Sequence, residues 1–335
     1  MDSAPETSLP TAADIAAAAG RIGAFAKLTP VLRSDALDAR AGARLFIKAE
    51  VLQRTGSFKI RGAANHVTQL SREALDRGVL AYSSGNHAQA VACAAAQVGS
   101  PAVIVMPADA PRIKIARTRG FGAEVVLYDR YSENREALGA RIAAERGMTL
   151  IPPYDHPWTI AGGGTLGLEL AAQVAELGTS LDALVVCCGG GGLIAGCGLA
   201  MAERSPATRV YAVEPAAFDD TARSLATGER QTVDPAARSI CDALLSPSPG
   251  ELTFAVNRRH LAGALTVSDA EVADAMRTAF ADLKLVVEPG GAVALAAAIN
   301  SRVPGQADGE LAIGVVLTGG NVDPALYAEV LTAAP

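Results

Sequence analysis

Five short apolar runs of strand length recur along the chain: AVIVM at 102–106, AEVVL at 123–127, ALVVC at 183–187, VYAV at 210–213 and IGVVL at 313–317. Continuous runs of this kind mark parallel strands covered on both faces. Between and beyond them lie alanine-rich stretches with helical spacing, at 86–98, 112–119, 133–145, 166–176, 193–204, 269–283 and 292–300. Strands alternating with helices predict βαβ units with right-handed crossovers, and so an α/β protein with mostly parallel sheets. The proline-rich stretch IPPYDHP at 151–157 is the clearest interruption and a natural boundary between two α/β layers. A second loop is expected at SPSPG, 246–250. There is no internal repeat and no low-complexity linker.

Length and composition sharpen this picture. At about 150 residues per domain, 335 residues make roughly two domains. Half the residues are apolar and 19% are charged, enough for large cores and too apolar for disorder. The net charge of −6 argues against a nucleic-acid partner and against docking on anionic membranes. Aromatic residues make up 4%, too few for base-stacking platforms. The five cysteines, with Cys187 and Cys188 adjacent in an apolar run, give no disulfide framework. They read as buried thiols of a reducing compartment, and no Cys/His cluster suggests zinc. Residues 183–202 carry no charge, but Gly189 to Gly192 interrupt them. Each glycine costs a helix about 1 kcal/mol relative to alanine, so a strand, a turn and a helix fit better than a membrane span. The acidic N-terminus lacks the pattern of a secretory signal, and the expectation is a cytoplasmic protein.

Four segments carry candidate chemistry. GGGGLIAG at 189–196 follows a strand and opens a helix, where free backbone N–H groups and the helix N-terminus suit a phosphate. The spacing Gly190-x-Gly192-x-x-Ala195, with Glu214 ending the next strand, also fits a dinucleotide fingerprint, and a tight turn that merely needs small residues explains the glycines too. Lys59, in TGSFKIRGA at 55–63, sits beside Phe58 and Ile60. Such a lysine is either solvated or desolvated; desolvation lowers its pKa and frees a nucleophilic amine. SSGNH at 83–87 opens a helix with hydroxyls and an amide, a carboxylate-sized anion site or a plain N-cap. TGGN at 318–321 follows an apolar strand, at the sheet edge where α/β proteins bind ligands.

Together, and in this order, SFKIRGA, SSGNH, GGGGL and TGGN resemble the fold-type-II pyridoxal-phosphate (PLP) enzymes, from about residue 14 to residue 323. The SFKIRG form is similar to the serine racemase and threonine (serine) dehydratase branch. The resemblance implies a two-domain fold like that of tryptophan synthase β, with mostly parallel sheets and helices on both faces. The large PLP-binding domain would comprise 1–79 and 157–335, with a small substrate-side domain, 80–156, inserted in it. It implies that Lys59 forms the Schiff base with PLP and later moves the substrate Cα proton. It implies that Phe58 packs on the ring, that Gly189, Gly190, Gly191, Gly192 and Leu193 bind the phosphate, and that Asn86 meets the ring 3-hydroxyl. Thr318 would face the pyridine nitrogen. A hydroxyl there leaves that nitrogen largely unprotonated, which suits β-elimination better than transamination. Ser83, Ser84, Asn86 and His87 would surround the substrate carboxylate, with His87 either a polar spacer or an acid/base.

The implied reaction is dehydration and deamination of an L-β-hydroxy amino acid such as L-threonine or L-serine to a 2-oxo acid and ammonia. Within the family the alternatives are racemisation, with Ser84 as the second acid/base, and hydroxyaspartate dehydration; outside it stands an NAD-dependent oxidoreductase. The resemblance also implies a homodimer and a magnesium site (or calcium or manganese) made by Glu214, Asp220 and the main-chain carbonyl of Phe218. Three positions depart from the family pattern: Ala88 after SSGNH, Gly163 in AGGGT, and Phe218, bulkier than expected. Arg135, among Glu133 and Glu136, reads as an exposed helix cation, with pairing to a substrate β-carboxylate as the other reading. The chain stops at Pro335, soon after TGGN, so no regulatory domain and no isoleucine feedback are expected.

Overall fold

A computed structural model of the chain describes residues 8–333 apart from positions 84, 111, 130 and 310. Its strands are β1 (Val31–Leu32), β2 (Arg44–Ala49), β3 (Val79–Tyr82), β4 (Ala102–Pro107), β5 (Glu124–Tyr128), β6 (Thr149–Leu150), β7 (Ala183–Cys187), β8 (Arg209–Pro215), β9 (Gly263–Val267) and β10 (Ala312–Leu317). They form a six-stranded sheet, ordered β1-β2-β10-β7-β8-β9, and a four-stranded sheet, ordered β5-β4-β3-β6. Only β1 runs antiparallel to its neighbour among the described strands. In the large sheet Val315 lies opposite both Ile47 and Val185, and Cys187 opposite Val213. The carboxyl ends of β10, β7 and β8 therefore lie side by side, and the loops that follow them share one edge.

The five expected strands form within two residues of their sequence limits; four are fully or largely buried, while β5, at the edge of the small sheet, exposes Glu124 and Leu127 and buries only Tyr128. The strands without an apolar run escaped the pattern. β2 (RLFIKA) carries Lys48, which is buried and donates to Glu169 Oε2, Gln173 Oε1 and Thr29 O, each at 2.8 Å. The helix expected from residue 166 begins at Pro157, earlier than the glycines at 162–164 suggest. Those glycines are contact surfaces. A methyl group on Gly164 would lie 2.8 Å from the Gly196 carbonyl, and one on Gly162 would strike the Arg61 carbonyl. The helix Pro157–Glu176 thus packs closely on the helices Gly192–Arg204 and Lys59–Val67.

One hydrophobic cluster surrounds the large sheet, and another, beneath the small sheet, draws in Ile60, Ala63, Ala64 and Val67 from before residue 80. Lys59 thus begins a helix rooted in the small sheet's packing, while Phe58 N–H donates to the Thr318 carbonyl of the large sheet (3.0 Å). All five cysteines are buried, with no disulfide among the described residues. Among the described residues no helix is long and apolar enough to cross a membrane.

Candidate active site

A cavity of about 190 Å³ lies between the two sheets. It is lined by Phe58 and Lys59, by Ser83, Asn86 and His87 after β3, by Gly189 to Leu193 after β7, and by Thr318 after β10. The segments singled out in the sequence therefore meet at one place. Ser84 lies outside the described residues. Glu214, Phe218 and Asp220 lie apart, at the end of β8.

Lys59 opens its helix, and its Nζ donates to the Pro153 carbonyl at 3.0 Å, 5.0 Å from the centre of the Phe58 ring. Burial lowers its pKa to about 8, against the opposing influence of Cys187 and Glu288. About a tenth of the amine is then unprotonated at pH 7, far more than for an ordinary lysine, and the free amine is the nucleophile toward carbonyls. Two residues on, Arg61 anchors this helix. Its guanidinium binds the buried Glu50 through two bonds of 2.8 Å and the partly exposed Glu169 through two of 2.7 Å. Such bidentate pairing fixes orientation as well as energy.

The glycine turn is shaped for contact. Gly191 has φ +90°, a conformation that strains other residues. A methyl group on Gly190 would run into the Tyr154 ring, and one on Gly192 would lie 2.9 Å from Tyr154 Cβ. The helix begins at Gly192, so its first N–H groups lack helical partners and carry the positive end of the helix dipole. A phosphate fits this seat.

Asn86 is held on both sides of its amide. Its Nδ2 donates to Glu288 Oε1 at 2.5 Å, and its Oδ1 accepts from Asn321 Nδ2 at 2.8 Å. One amide hydrogen is left for a ligand. Glu288 is buried, and burial, with Asp242 adding to it, raises its pKa to about 7. His87 is also buried; its Nε2 lies 2.8 Å from the Ile151 carbonyl, and its pKa falls to about 3, chiefly through burial. It is a neutral, tethered ring, which fits a polar spacer and not an acid at neutral pH. The Thr318 hydroxyl lies 3.3 Å from Cys187 Sγ on the cavity wall.

Two cations complete the lining. Lys114 Nζ pairs with Asp242 Oδ2 at 3.0 Å, bridging from the small-sheet side to the large. Arg135, expected as an exposed helix cation, also lines the cavity. It pairs with Glu136 at 3.0 Å and lies over the Tyr82 ring at 5.7 Å. The sequence reading missed Tyr154, Cys187, Lys114, Asp242 and Glu288 as lining residues. Only Glu288 had a local signal, as the acidic residue before the Pro289-Gly-Gly helix start.

At the end of β8, Glu214 Oε1 and Oε2 accept the Thr221 and Ala222 N–H groups at 2.9 and 2.8 Å. Asp220 is buried, and its Oδ2 has no hydrogen-bond partner among the described residues. Burial raises Glu214 to about 8, with Asp220 adding to it, and raises Asp220 to about 7. Phe218 is buried in the intervening turn. Two buried acids with an unpartnered oxygen have the chemistry of a hard-cation site.

Comparison with known proteins agrees with this geometry. The family model described as pyridoxal-phosphate dependent enzyme matches residues 24–319. An L-threo-3-hydroxyaspartate ammonia-lyase of Pseudomonas sp is 47% identical, over 95% of this chain and 97% of its own. A serine racemase of Schizosaccharomyces pombe is 43% identical, over 97% of this chain and 98% of its own. The solved structure of a T.th. threonine deaminase superposes with a TM-score of 0.87 at 43% identity, covering 94% of this chain and 99% of that one. The chain belongs to the pyridoxal-phosphate dependent enzyme family, with the fold-type-II α/β architecture.

Proposed function

From that membership we propose that the enzyme eliminates water from L-threo-3-hydroxyaspartate and releases ammonia and the 2-oxo acid oxaloacetate. The observation that supports this choice is a pair of cations in the cavity lining, Lys114 and Arg135, held by Asp242 and Glu136, acids that a substrate carboxylate can replace. A carboxylate loop at the start of the helix Asn86–Val98 faces a pocket that also holds Lys114 and Arg135. One carboxylate needs only the loop; the two cations provide for a second. The 47% identity to the hydroxyaspartate ammonia-lyase supports the same choice.

PLP, when bound, supplies the electron sink that makes the substrate Cα–H acidic. Lys59 holds the cofactor and afterwards takes the Cα proton, its pKa already near 8. Gly189 to Leu193 hold the phosphate by backbone N–H groups, Phe58 packs on the ring, and Asn86 gives its remaining amide hydrogen to the ring hydroxyl. Thr318 offers the ring nitrogen a neutral hydroxyl, which favours loss of a β-leaving group. Ser83, Ser84 and the main-chain N–H of Asn86 bind the α-carboxylate beside His87, Arg135 binds the β-carboxylate, and Lys114 exchanges Asp242 for substrate. Burial of the reacting atoms between the sheets excludes water. We also propose the division into 80–156 and 1–79 with 157–335, which the two sheets support, although β3 opens at Val79 and the helix Lys59–Val67 packs beneath the small sheet.

Glu214 and Asp220, with the main-chain carbonyl of Phe218, are proposed to hold Mg²⁺ or a similar cation. Two buried acids and the orphaned Asp220 oxygen support this. The metal stabilises the end of β8 and takes no part in the chemistry.

The test is ammonia and 2-oxo acid release from L-threo-3-hydroxyaspartate, L-serine and L-threonine. The expected kcat/KM is highest for hydroxyaspartate, by about tenfold or more. Faster release from serine or threonine would overturn the substrate assignment. D-serine formed from L-serine without ammonia would move the enzyme to racemisation.

A further inference from the structure

The segment between β6 and the helix Pro157–Glu176 touches three parts of the proposed cofactor seat. The Pro153 carbonyl accepts from Lys59, the Tyr154 ring lies against Gly190, and Asp155 reaches the helix Glu251–His260. We propose that Asp155 is a positioning residue that aims the phosphate-binding N–H groups of the glycine turn, acting through Thr253. This rests on the reading of Gly189 to Leu193 as the phosphate seat.

The helix Glu251–His260 starts after Gly250, which has no side chain to cap it. Asp155 does so from across the fold: Oδ2 accepts the Glu251 N–H at 2.9 Å and Oδ1 the Thr253 N–H at 3.0 Å. The fit is close, since a methyl group on Gly250 would strike Oδ1. Thr253, fixed in this way, donates its hydroxyl to the Gly190 carbonyl at 2.7 Å, and Gly250 N–H reaches the same oxygen at 3.2 Å. One turn later Asn257 Nδ2 lies 3.5 Å from the Gly191 carbonyl.

A trans peptide points its N–H opposite to its C=O. Holding the Gly190 carbonyl from behind therefore turns the Gly191 N–H the other way, and holding the Gly191 carbonyl does the same for Gly192. The contribution is geometric: Asp155 itself is an anion, and no charge attraction to a phosphate explains it. Its position also ties the glycine turn to the same short segment that receives Lys59. The two ends of the cofactor, phosphate and aldehyde, are registered by one stretch of chain.

The experiment titrates cofactor-free protein with PLP and follows the fluorescence of Trp158, the chain's single tryptophan, three residues beyond Asp155. Asp155→Ala and Thr253→Val are each expected to raise the cofactor Kd about fivefold or more, the scale of a lost helix cap. The double variant should be no weaker than the worse single one, because both act on the Gly190 carbonyl. Asp155→Asn, which keeps shape and one acceptor, should fall between and serves if the alanine variant does not fold. Gly190→Ala is the control for the seat. If it binds PLP like the wild type, the seat reading fails. If it loses binding while a folded Asp155 variant keeps the wild-type Kd, or if the Asp155 and Thr253 effects add, the proposal is overturned.

Discussion

β7 and β8 lie side by side with Cys187 opposite Val213, and both end at the same edge of the large sheet, yet the loops that follow suit opposite charges. After β7 the chain offers four glycines and a helix start, with no charged side chain. At β8 it buries two carboxyls, Glu214 near the end of the strand and Asp220 at the start of the next helix. The topology supplies the place and the residue type supplies the sign. Backbone N–H groups are fixed dipoles that keep their polarity at any pH. Buried carboxyls are costly when charged, and burial pushes both upward until a cation offsets it. In the proposed enzyme the first loop anchors the chemistry and the second braces it.

The largest effect comes from breaking the first side of the comparison. Lys59→Ala should lower ammonia release about a thousandfold or more, measured with saturating PLP, since it removes both the cofactor's attachment and the base. Next, Gly190→Ala drives a methyl group into the Tyr154 ring and should weaken PLP binding by about tenfold to a hundredfold in a direct titration. The pH dependence sharpens the same side. The unprotonated fraction of Lys59 rises through its pKa of about 8, so PLP capture by cofactor-free protein should quicken about fivefold from pH 7 to pH 8 and level off above. An ordinary lysine would show a rise extending toward pH 10.

The second side breaks more gently. Asp220→Asn should abolish the gain in melting temperature on adding Mg²⁺ while leaving the PLP Kd within about twofold. The smallest change is at the cavity mouth. Asp242→Asn frees Lys114 from its partner and should lower the KM for hydroxyaspartate about twofold to threefold, a few tenths of a kcal/mol as befits a half-exposed pair.

The two loops also differ in how legible they were. Four glycines between an apolar strand and a helix mark a turn, and the strand run ALVVC and the helix after it form where the sequence put them, but the glycines alone left a phosphate seat, a dinucleotide fingerprint and a plain tight turn open. Glu214 and Asp220 carry no local pattern that separates a ligand pair from a solvated acidic turn; only the resemblance singled them out. Burial, the property that distinguishes them, is set by packing of distant segments. The same reason hid Tyr154, Lys114, Asp242 and Glu288, which come from four loops or helix ends and meet only in the folded chain. Strand β2 was hidden because Lys48 breaks its apolar run, and the ion network of Glu50, Arg61 and Glu169 that would explain a charge in the interior is drawn from three elements. Arg135 is the exposed, Glu136-paired helix cation that was expected, but its place at the cavity lining is not visible in a helical pattern.

The division of labour between the two loops is tested most directly by ammonia release from L-threo-3-hydroxyaspartate, compared between Asp220→Asn with added PLP and Lys59→Ala with added PLP and Mg²⁺. The account predicts slower but measurable turnover in the first and none above background in the second. Equal loss in both folded variants, or turnover surviving in Lys59→Ala, would contradict it.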